Sequence, residues 1–303
     1  MRVAAIDCGT NAVRLLIADV TGDRLIDVSR RMEIVRLGEG VDRTGRLASA
    51  AIDRTRLALI GYAAEIAELG ISDVRMVATS ASRDAANAGE FQAMVRGVLG
   101  VDPEVITGDE EARLSFTGAV RGLRAQAPYL VVDIGGGSTE FVTGRSTSEQ
   151  AISMDIGCVR MTERHLKSDP PTAAEIAAAE RDITAAVDTA LAAVPGRQAR
   201  TLLGLAGSVT TVTALALGLP AYESSRIHHA TISYDQVAKV TADLLAATVA
   251  ERRALPVMHP GRADVIGAGA LILRIIMQRS GQPAVVASEH DILDGIAWGL
   301  AAA

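Results

Sequence analysis

The sequence is poor in cysteine and in lysine. Its 303 residues include two cysteines, Cys8 and Cys158, and two lysines, Lys167 and Lys239. The cysteines lie far apart and lack the close spacing of a metal-binding or redox pair. They are therefore predicted to be buried, reduced thiols with no catalytic part.

The sequence also lacks a surplus of basic residues. Its formal net charge is −6, whereas general nucleic-acid-binding proteins usually carry a basic excess. A polyanionic substrate of another kind is still compatible with this charge, because a local basic site is enough to capture it. We therefore expect no nucleic acid among the partners of the protein.

Long uninterrupted apolar runs are absent as well. From Arg2 onward the chain reads as a β-strand, and not as the charged region and apolar core of a signal peptide. The apolar stretch 265–276 is interrupted by Arg274 and by glycine, so it does not predict a membrane span. These features predict a cytoplasmic protein without a membrane partner.

One hairpin pattern is present twice. An apolar strand ends at Asp7, Gly9 follows two residues later, and the apolar run 13–18 returns. The stretch 130–142 repeats this order with Asp133 and three consecutive glycines. The two aspartates lie about one domain length apart, which predicts that each hairpin opens a domain.

Helical and strand patterns alternate through the rest of the chain. This alternation predicts α/β layers, with helices at 54–69, 85–99, 110–121, 172–193, 234–248, 263–277 and 293–302, and strands at 74–79, 105–106, 202–206 and 284–288. The helical pattern breaks at Pro128. We therefore expect a first domain of residues 1–125 and a second domain of residues 126–290.

The two turns have the composition of phosphate-binding loops. Glycines let backbone amides approach phosphate oxygens, and the Ser138 and Thr139 hydroxyls add donors. Asp133 and Glu140 supply hard oxygen ligands that suit Mg²⁺. A dinucleotide-binding loop is a poorer interpretation, because the glycines are consecutive and an acid precedes them.

The paired turns resemble those of the superfamily that contains actin, sugar kinases and heat-shock ATPase chaperones. Seven stretches more closely resemble the exopolyphosphatase/guanosine pentaphosphate phosphohydrolase family, in that family's order along almost the whole chain: 7–14, 78–84, 107–116, 133–141, 157–165, 207–211 and 260–264. The resemblance implies an α/β fold of two actin-like (ribonuclease H-like) domains with an interdomain cleft. It also implies that a C-terminal helix, 291–303, joins the first domain.

The same resemblance implies roles for individual residues. Glu111 matches the family's catalytic glutamate, which orients and deprotonates the attacking water. Mg²⁺ is the implied cofactor, with Asp133, Glu140 and Asp7 as metal-binding acids. The implied phosphate-binding residues are Thr10, Asn11, Arg14, Ser80, Arg83, Gly136, Gly137, Ser138, Thr139, Gly207 and Ser208.

Several of these residues also have simpler interpretations. Glu111 could be an acid placed at a helix start, where the helix dipole favours negative charge. Arg14, within a strand, could equally contact phosphate or form an ion pair. Arg83 follows a strand end, where α/β proteins usually bind ligands, so a functional role is the better interpretation. The histidines, including the pair His228-His229, are predicted to be structural.

The function implied by the resemblance is Mg²⁺-dependent removal of terminal phosphate from inorganic polyphosphate. Guanosine pentaphosphate or tetraphosphate is an alternative substrate, and a homodimer is the implied assembly. Longer family members carry extra C-terminal helical domains, so a preference for short chains is expected here. A kinase or ATPase, a non-catalytic phosphate sensor, and a filament-forming protein remain as rival interpretations.

Overall fold

The computed structural model describes residues 1–302. Within these residues, eleven strands form two sheets. The strands are β1 (Arg2–Cys8), β2 (Ala12–Thr21), β3 (Arg24–Ile34), β4 (Val74–Ala78), β5 (Glu104–Val105), β6 (Tyr129–Ile134), β7 (Thr139–Gly144), β8 (Ser148–Met154), β9 (Thr201–Leu205), β10 (Thr231–Ser233) and β11 (Ala284–Ala287).

Helices lie between most of these strands. They are α1 (Val41–Thr44), α2 (Ser49–Glu68), α3 (Ser80–Arg83), α4 (Ala88–Leu99), α5 (Gly108–Val120), α6 (Cys158–His165), α7 (Ala173–Ala193), α8 (Ala206–Ala216), α9 (Ser224–Ile227), α10 (Tyr234–Ala246), α11 (Val249–Arg253), α12 (Ile266–Ser280) and α13 (Ile292–Ala302). Two short 3₁₀ turns span Gly196–Gln198 and Pro260–Arg262. None of the helices described is long and apolar enough to cross a membrane.

The chain forms two compact units. The first contains residues 1–118 and 292–303, and the second contains residues 119–291. Both units combine a sheet with helices, so the predicted α/β class is confirmed.

The first unit is built on the strand order β3-β2-β1-β4-β5. Strands β1, β4 and β5 run parallel, and β2 and β3 are antiparallel to their neighbours. Successive side chains of a strand point to opposite faces. On β1, Ala4 and Ile6 therefore pack with α2 and α4, whereas Val3 and Ala5 pack with α13 on the other face.

The second unit has the strand order β10-β11-β9-β6-β7-β8. Strands β6, β9 and β11 are parallel, and β6 is buried along its whole length. Helix α12 is buried almost throughout and packs against α7, α8 and α10. An element hydrophobic on all sides is expected to be buried in this way.

Several elements were not predicted from the sequence, among them β3, β8 and α6. Strands β3 and β8 extend each hairpin into a three-stranded antiparallel meander, and α6 follows the second meander. Many β3 positions are polar or charged and its burial pattern does not alternate clearly, because this strand forms an edge of the sheet.

Candidate functional site

The two predicted hairpin turns are closed by equivalent hydrogen bonds. In the first turn, the Gly9 amide donates to the Ala12 carbonyl at 3.0 Å. In the second, the Gly135 amide donates to the Ser138 carbonyl, also at 3.0 Å. The internal repeat seen in the sequence is therefore a repeat of turn structure, which places the following backbone amides in equivalent positions.

Within the described residues, the amides inside these turns donate no hydrogen bond to protein. This holds for Thr10 and Asn11 in the first turn and for Gly136, Gly137 and Ser138 in the second. Successive backbone amides in a turn can form an anion-binding concavity. Both turns thus leave consecutive amides available to an anionic ligand.

The first turn is fixed by contacts around Thr10. Its hydroxyl lies 2.8 Å from the Ser80 hydroxyl, at the start of α3, and both residues are buried. The Thr10 carbonyl accepts a hydrogen bond from Gly38 at 2.8 Å. A Cβ added to Gly38 would collide with the Thr10 side chain. The structure thus brings together Thr10 and Ser80, which are far apart in the sequence.

Arg83 and Glu111 meet in the first unit. The Arg83 Nη1 donates to the Ile106 carbonyl at 2.8 Å and to Glu111 Oε2 at 3.3 Å. The Ile106 amide bonds the Ala78 carbonyl, which ties the end of β5 to the end of β4. Because Glu111 is only 9% exposed, its carboxylate is oriented by this arginine in a largely buried position.

Asp7 and Arg14 form an ion pair across the first hairpin. They are directly opposite on β1 and β2, and Arg14 Nη2 lies 2.6 Å from Asp7 Oδ2. The charge of each group is thereby compensated by the other. This contact favours the ion-pair interpretation of Arg14. It also gives Asp7, one of the predicted metal-binding acids, a cationic partner.

The second glycine turn is held by the N-terminal end of α6. The amide of Cys158 bonds the Gly135 carbonyl, and the amides of Val159 and Arg160 bond the Gly136 carbonyl. The side chain of Arg160 donates to the Gly137 carbonyl at 2.7 Å. All three glycine carbonyls are therefore occupied on the α6 side of the turn.

The hydroxyl residues after the glycines have different surroundings. Ser138 is 2% exposed, and its carbonyl closes the turn. Thr139 is fully buried, and its hydroxyl donates to the Ile156 carbonyl. The Thr139 side chain is thus engaged in joining the turn to the segment after β8.

Asp133 and Glu140 are direct cross-strand neighbours on β6 and β7. Both are buried, and Glu140 also accepts a hydrogen bond from the Ser153 hydroxyl at 2.8 Å. No cluster of three or more metal-binding side chains occurs in residues 1–302. Mg²⁺ commonly uses one or two carboxylates together with water and substrate phosphates, so this acidic pair fits such an ion.

The third predicted phosphate-binding stretch, Gly207 and Ser208, lies in the first turn of α8, directly after β9. Ala206 has a φ of 65°, a left-handed conformation that is strained for a residue with a side chain. The guanidinium of Arg262 lies against Gly207 so closely that a Cβ there would collide with it. Arg262 also donates to the Thr211 hydroxyl at 2.9 Å, and Ser208 is buried beside Gly269.

The structure adds residues that sequence reasoning did not assign. Arg160 contacts the second hairpin turn at Gly137, Ser153 contacts Glu140 of the acidic pair, and Arg262 lies against Gly207. Arg160 and Arg262 lie in the stretches 157–165 and 260–264, which carried the family resemblance without a role. The resemblance of these stretches to the family could have drawn attention to the two arginines. Their contacts could not be predicted, because they depend on packing between distant segments.

The two cysteines and three of the histidines are the remaining titratable candidates. Cys8 and Cys158 are free and buried, as predicted, and burial raises the pKa of both thiols. His228 stacks on His229 with ring centroids 3.7 Å apart, and His290 lies 4.4 Å from His228. The histidine pair therefore belongs to a cluster of three.

Comparisons with known proteins agree on one family. The Ppx/GppA phosphatase family matches residues 16–300. Exopolyphosphatase 2 of Mycobacterium tuberculosis is 51% identical, covering 99% of this chain and 98% of that protein. A solved exopolyphosphatase-like protein is 44% identical with a TM-score of 0.95, covering 97% of this chain and 96% of its own. The Aquifex aeolicus PPX-GPPA enzyme is 32% identical with a TM-score of 0.83, covering 99% of both chains.

Proposed function

The chain belongs to the Ppx/GppA phosphatase family, and on that premise we propose that it hydrolyses the terminal phosphate of inorganic polyphosphate. The similarity to a protein named exopolyphosphatase 2 extends over nearly the whole length of both chains. This coverage includes both glycine turns, Glu111 and the acidic pair Asp133 and Glu140.

The observation that carries the proposal is the pair of equivalent turns. Each presents consecutive amides that make no hydrogen bond to protein within the described residues. A polyphosphate chain offers a row of anionic oxygens, and such amides bind phosphate oxygens without requiring a recognised base or sugar. The turns therefore suit a phosphoanhydride whose repeating unit is phosphate itself.

Glu111 is the proposed catalytic residue. Phosphoryl transfer passes through a loose transition state, so positioning and charge stabilisation contribute more than covalent chemistry. Arg83 and the Ile106 carbonyl form one connected set with Glu111, which restricts the movement of its carboxylate. We propose that this carboxylate orients the attacking water and accepts its proton.

Asp133 and Glu140 are the proposed holders of Mg²⁺. When bound, the ion would neutralise negative charge on the phosphate oxygens. Ser153 orients Glu140 through a 2.8 Å hydrogen bond, and the register of β6 and β7 fixes the two acids side by side. Asp7 is a weaker candidate for this role, because Arg14 is bonded to it.

The test is phosphate release by the Glu111→Gln variant. We expect its kcat to fall by about 10²–10⁴-fold, the usual contribution of a general base. Glu110→Gln is the matched control, because Glu110 lies one residue away but is partly exposed and bonded to Arg75. A kcat for Glu111→Gln close to that of the control would remove Glu111 from the proposed role.

The same assay ranks the candidate substrates. Short polyphosphate, long polyphosphate, guanosine pentaphosphate and ATP are compared with and without Mg²⁺. We expect polyphosphate to be hydrolysed fastest, short chains to be preferred and activity to require the ion. Faster release from guanosine pentaphosphate would replace the proposed substrate, and no release from any of them would refute the enzymatic proposal.

A further inference from the structure

Helix α13 contains two glycines, Gly295 and Gly299. Glycine weakens a helix interior relative to alanine, because it loses more backbone freedom on folding. A glycine inside a helix therefore often has a packing reason, such as the close approach of another backbone. The two glycines of α13 differ in this respect, and the difference points to a role for one of them.

Gly295 lies against the backbone of α5. A Cβ added to Gly295 would be 2.1 Å from the Leu114 carbonyl oxygen and 2.7 Å from the carbonyl carbon, whereas real Cβ contacts stay above 3.0 Å. A Cβ added to Gly299 would be 3.6 Å from Nη1 of Arg75, which is an ordinary contact. Gly295 thus lets α13 approach α5 more closely than a side chain would permit, whereas the position of Gly299 could hold an alanine.

Helix α5 carries Glu111, the proposed catalytic residue. Leu114 follows Glu111 by three residues, so the two lie about one turn apart on the same helix. The Glu111 carboxylate is bonded to Arg83, which also donates to the Ile106 carbonyl. Ile106 and Leu114 share one apolar cluster with residues of α13. The helix that carries Glu111 and the residue that anchors its arginine therefore both pack with α13.

Helix α13 is itself fixed on the first sheet. Leu293 and Ile296 are fully buried in this cluster, where α13 packs against β1 and β2. Asp294 accepts two hydrogen bonds from Arg30 of β3. An added side chain at the contact with α5 is therefore expected to displace α5 rather than α13.

We propose that Gly295 is a positioning residue for the reaction. Because it admits the α5 backbone, it lets α13 set the position of α5 and, through α5, that of the Glu111 carboxylate. This inference rests on the proposed role of Glu111. It assigns the C-terminal helix a part in the placement of the attacking water, in addition to its packing on the sheet.

The first test compares Gly295→Ala with Gly299→Ala, the same substitution one turn along the same helix. In Gly295→Ala the Leu114 oxygen must recede from 2.1 Å to at least 3.0 Å, and a misplacement of about 1 Å can reduce a rate on the order of 100-fold. We expect kcat on polyphosphate to fall by about 10- to 100-fold with KM unchanged, because the proposed phosphate-binding turns lie outside α5. Gly299→Ala should keep the original kcat. Equal rates for the two variants would overturn the proposal.

A purely structural role of Gly295 predicts a different result. Rates are normalised to folded protein, which is measured by urea unfolding through the emission of Trp298, the single tryptophan of the sequence, on α13. The assay is repeated in sucrose, which favours the folded state, so that a destabilised Gly295→Ala variant can still be measured. The loss of kcat should persist in sucrose. A kcat that returns to normal there would assign the loss to unfolding and overturn the proposal.

The second test is a double-mutant cycle with Glu111→Gln. If Gly295 acts through Glu111, adding Gly295→Ala to Glu111→Gln should lower kcat by less than about threefold, because the two losses are then not independent. Losses that multiply would refute this inference alone. A near-normal kcat for Glu111→Gln by itself would instead refute the proposed role of Glu111, and with it the premise of the inference.

Discussion

Gly157 should tolerate no side chain, because it lies against the second glycine turn. A Cβ at this position would be 2.5 Å from the Gly137 amide nitrogen and closer still to the Gly136 carbonyl. Real Cβ contacts stay above 3.0 Å, so Gly157→Ala must displace the turn by at least about half an ångström in a close-packed region. Both neighbours are backbone, so neither can move aside as a flexible side chain would.

The displacement should reduce activity more than stability. Overpacking of this kind costs about 1–3 kcal/mol of the free energy of unfolding. It also moves the amides proposed to bind phosphate, and a misplacement of about 1 Å can reduce rate on the order of 100-fold. We therefore expect kcat/KM for polyphosphate to fall by about 10- to 100-fold in the folded variant.

The assay pairs phosphate release with urea unfolding, and rates are normalised to folded protein. Gly97→Ala is the matched control, because Gly97 lies in α4 with no atom near its added Cβ. That substitution should raise the free energy of unfolding by about 0.5–1 kcal/mol and leave the rate unchanged. A Gly157→Ala variant with near-normal kcat/KM would refute the inference that contact with α6 positions the proposed phosphate-binding turn.

Two further predictions concern stability. Asp294 is buried and accepts two hydrogen bonds from Arg30, so Asp294→Ala should lower the free energy of unfolding by about 3 kcal/mol. Arg2→Ala removes an exposed ion pair and should lower it by less than about 1 kcal/mol. Equal urea midpoints for the two variants would contradict this difference. Burial and the neighbouring His290 lower the pKa of His229, so the unfolded chain binds a proton more readily and stability should fall as the pH drops below about 6.5. His229→Asn, which tolerates the left-handed backbone, should reduce the loss of midpoint between pH 7.5 and 5.5; an unchanged loss would assign that pH dependence to other groups.

Much of the site was predictable because it depends on short-range sequence. The order of strand, aspartate, glycine and returning strand is local, and both predicted turns have the same amide-to-carbonyl closure. The alternation of strands and helices is also local, so the α/β class followed from it. The residue roles, by contrast, came from the family resemblance and remain predictions.

What could not be predicted depends on contacts between distant segments. Strand β3 has no clear apolar alternation, because it forms a sheet edge and none of its positions is fully buried. Arg160 and Arg262 lie 23 residues from Gly137 and 51 residues from Thr211, to which they donate. No local periodicity indicates which carbonyl or hydroxyl a distant guanidinium will reach.

The occupied carbonyls explain why the second turn can present its amides. Each glycine between Asp133 and Ser138 has its carbonyl oxygen bonded to the start of α6 or to Arg160. These bonds fix the orientation of the peptide planes, so the amides of Gly136, Gly137 and Ser138 keep their positions without donating to protein in the described part of the chain. Glycine alone would give a flexible turn that had to be ordered by the ligand. The contribution of α6 is therefore preorganisation, which would reduce the entropy lost on the phosphate binding proposed for this turn.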